Sequence, residues 1–367
     1  MRRTAALVPA LSLALAATLT SCSAASSSHV VSAKADVDTS SGLVIDGERI
    51  ADQATWEAAQ EQKITVYTGY QEANQQAFND TFTADTGIEV EYVRDVANKL
   101  SERIQSEAGA GQLGADVIIT SDYKVARELT EAGILSPHVP ATLEPDSDLV
   151  LDDDHFTTFA NVVITFAYNT YQVSEEDAPT SWTDLLDPAY KGRIGLTSGT
   201  AGGSSIALNR FVTEEVDPDY WDKLAAQQPT IYDSGGQRQE ALARSELMLA
   251  TAGTAAVNVA VAEDAAPLEY VVPEEGLVLF SFFIAEAADT AHPEAAEVFI
   301  NYALSKRGQS VISAVGDYPA REDVDPPTAN GRELPPLDSP QVWRMKPEDE
   351  LTYADADAEV WREAFGR

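Results

Sequence analysis

Three residue types are scarce in this 367-residue chain, and each scarcity argues against a class of protein. Because Cys22 is the single cysteine, the chain can form no disulfide framework and no thiolate metal cluster of its own. The four histidines, His29, His138, His155 and His292, lack the close spacing of histidine metal motifs. Only 24 lysines and arginines accompany 60 acidic residues, giving a net charge of -36. This balance argues against a nucleic-acid partner, because phosphate binding depends on clustered basic side chains.

An apolar run at the amino terminus predicts export. Two arginines precede residues 5–19, which are too few and too alanine-rich for a permanent transmembrane helix. Cys22 follows small residues, and this stretch resembles the lipobox of bacterial lipoproteins, in which the preceding peptide is removed and the cysteine is lipidated. We therefore expect residues 1–21 to be a signal peptide and Cys22 to anchor the protein to the extracytoplasmic side of the cell membrane. The alternative is an ordinary secretory signal cleaved near Ala24.

Residues 22–53 are expected to hold the lipidated cysteine and a flexible spacer. The beginning of this segment is rich in serine, alanine and aspartate and has no hydrophobic period, which is typical of a solvated linker. Acidic residues are dispersed over the rest of the chain and are interpreted as a solvated, self-repelling surface. The open alternative is an electric field that concentrates a cationic solute.

From residue 54 onward, helical and strand patterns alternate. The spacing predicts helices over 54–62, 72–86, 98–108 and 125–132, and strands over 63–67, 88–93 and 115–120. Such alternation is typical of an α/β fold with a parallel sheet and helices on both faces. Ligands bind beyond the carboxyl ends of the strands in sheets of this kind, so the turns at 68–70 and 121–122 are candidate site loops.

A loop of small and hydroxylated residues follows the strand predicted at residues 193–196. It extends from Thr197 to Ser205 and precedes a helical pattern that begins at Ile206. Its backbone N–H groups and hydroxyls are suited to a carboxylate, phosphate or phosphonate. The loop lacks the Gly-Lys-Ser/Thr ending of a nucleotide P-loop, so it does not indicate ATP chemistry. A simple connecting loop is the alternative interpretation.

Short motifs recur in a characteristic order over most of residues 55–325. They include Lys63–Gly69, Thr86–Ile88, Gly114–Val117, Glu131–Leu135, Ala167–Thr170, Ser181–Pro188, Pro293–Ala296, Leu304–Gln309 and Tyr318–Arg321. Their order and spacing resemble the substrate-binding proteins of bacterial ABC importers, and specifically the group that contains ferric-ion-binding proteins.

The resemblance implies a two-lobed type II periplasmic-binding-protein fold, α/β in class. Each lobe is expected to be a mostly parallel sheet flanked by helices, with hinge strands near 159–164 and 277–282. The implied division is residues 54–160 with 278–324 for lobe 1, 161–277 for lobe 2, and 325–367 for a carboxyl-terminal segment packing on lobe 2.

The same resemblance implies a monomeric receptor that captures a small solute by hinge closure and delivers it to an ABC permease in the membrane. It implies neither an enzyme nor a cofactor. The main rival of a different class is an exported α/β hydrolase, but no nucleophile, base and orienting group occur in a recognisable arrangement.

Departures from the family pattern bear on the solute. Ferric-binding relatives carry an adjacent tyrosine pair where this chain has Ala255 and Ala256, and alanine offers no ligand to Fe(III). The hydroxyl-rich loops and Arg238 favour a phosphonate, a phosphorylated compound or a metal–anion complex. A polyamine or another organic cation is the alternative, although Phe282 stands where polyamine-binding relatives carry a ligand-binding aspartate.

The expected ligand contacts lie in the loops after strands, and we assign no metal ligands. These candidates are Thr68, Gly69, Tyr70, Ser121, Asp122, Ser198, Gly199, Thr200, Ser204, Tyr232, Ser234, Gly253 and Thr254.

Overall fold

The computed structural model describes residues 34–199 and 202–366. The predicted signal peptide and Cys22 lie outside the described residues, so lipidation stays a prediction. Within the described ranges, no helix combines the length and the apolar character needed to cross a membrane.

A small antiparallel sheet occupies part of the segment expected to be a flexible spacer. Its strands, in pairing order, are β1 (Val37–Asp38), β2 (Leu43–Ile45) and β3 (Glu48–Ala51). Asp46 and Gly47 connect β2 to β3 with φ angles of 51° and 82°, which suit a tight hairpin. Leu43 and Ile50 are fully buried in the core of the first lobe. The expectation of a flexible spacer up to residue 53 is therefore wrong from residue 37 onward, because this hairpin has an apolar face and a core to bury it against.

Strand–helix repeats build the first lobe, as the alternating pattern predicts. Its elements up to the first long strand are α1 (Gln53–Ala59), β4 (Ile64–Thr68), α2 (Glu72–Thr86), β5 (Val90–Arg94), α3 (Ala97–Gly109), β6 (Val117–Thr120), α4 (Tyr123–Glu131), β7 (Leu135–Ser136) and β8 (Val150–Leu151). Helix α2 has the predicted bounds and ends at Gly87, which is left-handed with a φ of 81°. Helix α4 begins two residues earlier than predicted, because the Asp122 carboxylate accepts a hydrogen bond from Val125 N at 2.9 Å and caps it.

The second lobe has the same alternation. Its elements are the carboxyl half of β9 (Phe156–Asn169), then β10 (Ile194–Thr197), α5 (Gly203–Phe211), α6 (Tyr220–Ala225), β11 (Thr230–Tyr232), α7 (Gly235–Ala243), β12 (Leu249–Ala252), α8 (Thr254–Asp264) and β13 (Leu268–Tyr270). The chain then continues through β14 (Leu277–Ala287), α9 (Pro293–Ala303), α10 (Lys306–Ala314), β15 (Tyr318–Pro319), β16 (Thr328–Ala329), β17 (Arg332–Glu333), β18 (Val342–Arg344) and α11 (Pro347–Phe365).

The two lobes share one continuous sheet. The main strand order is β11-β10-β12-β9-β14-β6-β4-β5. Strand β4 is parallel to β5 and β6 in lobe 1, and β10 is parallel to β11 and β12 in lobe 2. Strands β9 and β14 run antiparallel between these two sets. The predicted α/β class and the mostly parallel sheet of each lobe are thus present, and two antiparallel strands join them.

The two segments predicted to cross between the lobes pair with each other. Val278 is opposite Ile164, and Phe282 is opposite Ala160, in the β14–β9 ladder. Hydrophobic cores lie on both sides of the sheet in each lobe, so both faces of the strands are covered. This explains why the strands consist of nearly continuous apolar residues.

Helix α11 contacts both lobes. On lobe 2, Trp361 is buried and its ring lies against Gly199. On lobe 1, the Glu350 carboxylate accepts hydrogen bonds from Tyr123 N and Lys124 N, at 2.6 and 3.2 Å, at the amino terminus of α4. The carboxyl-terminal segment, expected on lobe 2 alone, therefore spans the two.

Candidate functional site

A cavity of about 160 Å³ lies between the two lobes, where the parallel strands of both lobes end. From lobe 1 it is lined by Gly69, Tyr70, Gln71, Arg94, Val96, Ala97 and Ser121, and from the central strands by Val162, Val163, Ile164, Phe280 and Phe282. From lobe 2 it is lined by Thr197, Gly202, Ser204, Ser234, Gly235, Gly236, Arg238, Gln239, Gly253 and Ala256. The carboxyl ends of parallel strands are where α/β proteins place ligands, so the cavity is the candidate site.

Three helices of lobe 2 begin at this cavity. Gly202, Ser234 and Gly253 precede α5, α7 and α8, respectively, and all three line the cavity. The helices begin together because their parallel strands β10, β11 and β12 end at one edge of the sheet. Gly202 and Gly253 provide no side-chain cap, so the first N–H groups of their helices remain available to a ligand. Converging helix amino termini favour a negatively charged group.

Arg238 places a full positive charge in the same wall. The residue is only 6% exposed, and its Nη1 donates a hydrogen bond to Thr197 Oγ1. Its Nε has no hydrogen-bond partner, and no carboxylate within the described ranges forms an ion pair with it. Burial lowers the pKa of Arg238 to about 10, so the guanidinium stays charged at neutral pH. A buried charge without a counterion is costly, and a bound anion would supply the missing partner.

Asp317 lies on the wall that belongs to lobe 1 and is 1% exposed. Its Oδ2 accepts hydrogen bonds from Tyr70 Oη at 2.5 Å and Asn74 Nδ2 at 2.8 Å. Burial is the largest influence on this carboxyl and raises its pKa to about 7. The cavity thus has a basic side chain on one wall and an acidic side chain on another.

Six of the residues predicted from the sequence line the cavity. They are Gly69, Tyr70, Ser121, Ser204, Ser234 and Gly253. A Cβ atom at position 203 would lie 1.8 Å from the Ser121 carbonyl oxygen, so only glycine fits there. The loops of the two lobes are therefore in direct contact at the cavity.

Three other predicted residues do not line the cavity, because their side chains are buried in the fold or cap a helix. The Thr68 hydroxyl donates to Gln75 Oε1 and accepts from Tyr70 N, at 2.8 and 2.9 Å, and is fully buried. The Asp122 carboxylate caps α4 rather than facing the cavity. Thr254 is the first residue of α8 and is fully buried. These three positions were wrong as cavity-lining residues because local hydrogen bonds and packing direct the side chains elsewhere.

The remaining predicted residues belong to the loop before α5 and to β11. Ser198 N donates to Tyr232 O at 3.1 Å, and Ser198 O accepts from Ser205 Oγ at 2.8 Å, so this turn is fixed by its neighbours. Gly199 packs on Trp361, and the Tyr232 ring packs against the core beneath β11. None of the three lines the cavity. Thr200 lies outside the described residues.

Three charged residues of the cavity lining, Arg94, Arg238 and Asp317, are absent from the predicted contacts. The sequence indicates Arg238 only as an available positive charge. Asp317 precedes the Tyr318–Arg321 motif and carries no local signal of its own. Arg238 follows Ser234 by one helical turn, so the capping serine and the glycines after it were the available indication.

In the described lining, Tyr70 and Asp317 carry a phenol or carboxyl oxygen of the kind that Fe(III) prefers, and they hydrogen-bond to each other. Ala255 and Ala256, where the resemblance predicts the loss of the tyrosine pair, are buried. In the part of the chain that the structure describes, no cluster of three or more histidine, cysteine, aspartate or glutamate side chains is arranged to hold a metal ion.

Comparison with known proteins agrees with the fold and the position of the cavity. The sequence model named "Bacterial extracellular solute-binding protein" matches residues 114–339. The chain belongs to this family. This solute-binding protein is 25% identical over 295 residues to the "Putative 2-aminoethylphosphonate-binding periplasmic protein" of Salmonella typhimurium, covering 77% of this chain and 85% of that protein. It is 24% identical over 290 residues to the "Major ferric iron-binding protein" of Neisseria gonorrhoeae, covering 76% and 87%.

A solved structure shows the same fold. Iron-bound HitA from Pseudomonas aeruginosa superposes with a TM-score of 0.65 at 22% identity, covering 82% of this chain and 99% of HitA. The family match and this superposition confirm the resemblance and the two-lobed α/β fold. They also agree with the expectation of a binding protein, since members of the family bind solutes outside the cytoplasm.

Proposed function

We propose that this solute-binding protein is the receptor of an ABC importer and captures a small anionic solute, a phosphonate or a phosphate ester, by closure of the lobes. The observation that carries the proposal is Arg238, which is buried at the cavity without a carboxylate partner among the described residues. Charge-assisted hydrogen bonds from guanidinium to phosphonate oxygens are strong and directional. The solute would offset the cost of burying this charge, which gives the closed, occupied form an advantage over the empty one.

The surroundings of Arg238 support the same ligand class. The starts of α5, α7 and α8 add backbone N–H groups, and Ser204 and Ser234 add hydroxyls. A tetrahedral anion has oxygens directed to several sides, so donors from three helices can bind it together. The 2-aminoethylphosphonate-binding relative from Salmonella typhimurium agrees with this class.

The two cationic alternatives have less support. The cavity lining contains one acidic residue, Asp317, and two arginines, Arg94 and Arg238. A polyamine would leave these arginines without counterions and would gain a single carboxylate. The other acidic side chains of the described residues lie outside this lining. Direct binding of Fe(III) would have only Tyr70 and Asp317 of the described lining as phenol or carboxyl ligands, and these two are bonded to each other.

The membrane anchor and the permease remain part of the proposal. A receptor that delivers solute to a permease benefits from a tether, and the lipobox-like stretch ending at Cys22 supplies one. The relative from Salmonella typhimurium is named as a periplasmic protein, which agrees with an extracytoplasmic location.

Isothermal titration calorimetry with a small panel tests the solute class. The panel comprises ethylphosphonate, 2-aminoethylphosphonate, a sugar phosphate, spermidine and ferric citrate. We expect binding of at least one phosphonate or phosphate ester and none of spermidine. Binding of spermidine alone, or a visible iron–phenolate charge-transfer band with Fe(III) and no binding of the anions, would refute the proposal.

A further inference from the structure

Asp317 has unused hydrogen-bonding capacity at the cavity. Its Oδ2 is bound by Tyr70 and Asn74, whereas Oδ1 is buried without a hydrogen-bond partner. In the described ranges no lysine or arginine forms an ion pair with this carboxyl. An unpartnered buried oxygen is expensive in a folded protein, so its presence in a ligand cavity indicates a partner supplied from outside.

Small residues bring Asp317 to this position. Gly316 has a φ of 96°, and a Cβ atom there would lie 3.2 Å from Ala255 Cα. The turn before β15 can therefore approach the start of α8 closely only with glycine at 316 and a small residue at 255. Ala255 is one of the two alanines in the place of the tyrosine pair of ferric-binding relatives. Their small volume provides room for an acidic side chain at the cavity instead of phenolic ligands.

The acidic and basic sites of the cavity are separate. Arg238 donates a hydrogen bond to Thr197, whereas Asp317 accepts from Tyr70 and Asn74. Among the described residues, no hydrogen bond or ion pair joins Arg238 to Asp317. A solute that satisfied both would carry an anionic group toward Arg238 and a hydrogen-bond-donating cation toward Asp317.

We propose that Asp317 Oδ1 accepts a hydrogen bond from a primary ammonium group of the solute, so that the receptor selects aminoalkyl phosphonates over phosphonates without an amine. This inference rests on the proposed function, because it assumes that the phosphonate end is bound at Arg238. It assigns selectivity to a residue outside the hydroxyl-rich loops.

The competing interpretation gives Asp317 a structural role only. In that case the carboxyl would stay protonated and serve to fix Tyr70 and Asn74, and the amine of a solute would point elsewhere. Both interpretations predict that some substitutions of Asp317 destabilise the lobe. Ligand selectivity is therefore the informative measurement, with the melting temperature recorded alongside it.

The test is a titration of the purified protein with 2-aminoethylphosphonate and with ethylphosphonate, which has the same carbon chain without the amine. We expect the wild type to bind the amino compound at least tenfold more tightly. Asp317→Asn should weaken binding of the amino compound roughly ten- to hundredfold and change ethylphosphonate binding less than about threefold. Asp325→Asn, at an exposed aspartate, is the matched control and should change neither affinity.

A third compound keeps the test independent of how well the variant folds. The N-trimethyl derivative of 2-aminoethylphosphonate retains the positive charge and loses every N–H donor, so the wild type should bind it more weakly than the primary amine. Equal wild-type affinities for 2-aminoethylphosphonate and ethylphosphonate would overturn the role of Asp317 and leave the proposed function standing. If neither of these anions nor the sugar phosphate binds, the proposed function itself fails.

Discussion

Replacement of Arg238 by methionine should stabilise the empty protein and abolish tight binding of the anion. Burial lowers the pKa of this residue from its ordinary value to about 10. At roughly 1.4 kcal/mol per pKa unit, the charged guanidinium costs the folded state about 3 kcal/mol at neutral pH. Loss of the hydrogen bond to Thr197 reduces the gain in stability by about 1 kcal/mol. Methionine has a similar length and no charge, so we expect Arg238→Met to raise the free energy of unfolding by about 2 kcal/mol.

The ligand should reverse this order of stability. At a concentration one hundred times its Kd, a solute that binds only the native state stabilises the wild type by about 2.7 kcal/mol. The variant lacks the guanidinium and should gain little at the same concentration. The wild type would therefore melt below Arg238→Met without phosphonate and above it with saturating phosphonate.

Differential scanning calorimetry with and without the tightest-binding phosphonate measures both halves of this prediction. Arg244→Met is a suitable control, because Arg244 is an exposed arginine directly after the same helix and pairs with Glu240 and Glu246. The control should change neither the ligand-free stability nor the ligand-induced shift by much. A destabilised Arg238→Met variant that keeps its ligand-induced shift would contradict the assignment of the anion to Arg238.

Three further predictions concern pH, closure and anchoring. Burial, with a contribution from Asp122, raises the pKa of Glu350 from 4.5 to about 9. The unfolded chain loses this proton at lower pH than the folded one, so the wild type should lose stability as pH rises between these values. Glu350→Gln should lose much less stability in denaturation measured from pH 5 to pH 9. Gly203→Ala should weaken solute binding at least tenfold in titration calorimetry, because a Cβ atom would meet the Ser121 carbonyl oxygen where the lobes touch; unchanged affinity would show that this contact is not required. Cys22→Ser should release the protein from cell membranes on fractionation, and retention would contradict the lipid anchor.

The sequence was most informative where local pattern and topology act together. Helix α2 was predicted with its bounds because its apolar spacing and the glycine after it are local signals. The turns after β4, β6 and β12 contributed cavity residues because parallel strands end at a common edge, whatever their distance along the chain. The same rule failed for Thr68 and Asp122, whose side chains make local hydrogen bonds, and for Thr254, which is buried at the start of α8.

The β2–β3 hairpin has a local sequence signal, the Asp46-Gly47 turn, although residues 22–53 are predicted to be a spacer. Asp46 and Gly47 between two short apolar stretches are typical of a tight turn, but the serine-rich residues before them indicated a linker. Strands of three and four residues also give little periodicity to recognise. Their stability comes from the core on which Leu43 and Ile50 are buried, and that core is contributed by distant parts of the chain.

The sequence alone indicated the α/β alternation and the resemblance to solute-binding proteins, and it predicted the loss of iron ligands at Ala255 and Ala256. Folding brings Arg238 and Asp317 to one cavity from different walls, each buried and, among the described residues, without an ion-pair partner. The physical reason is that periodicity records which face of an element is apolar. The burial of a single charge and the absence of its partner depend on neighbours that folding brings from elsewhere in the chain.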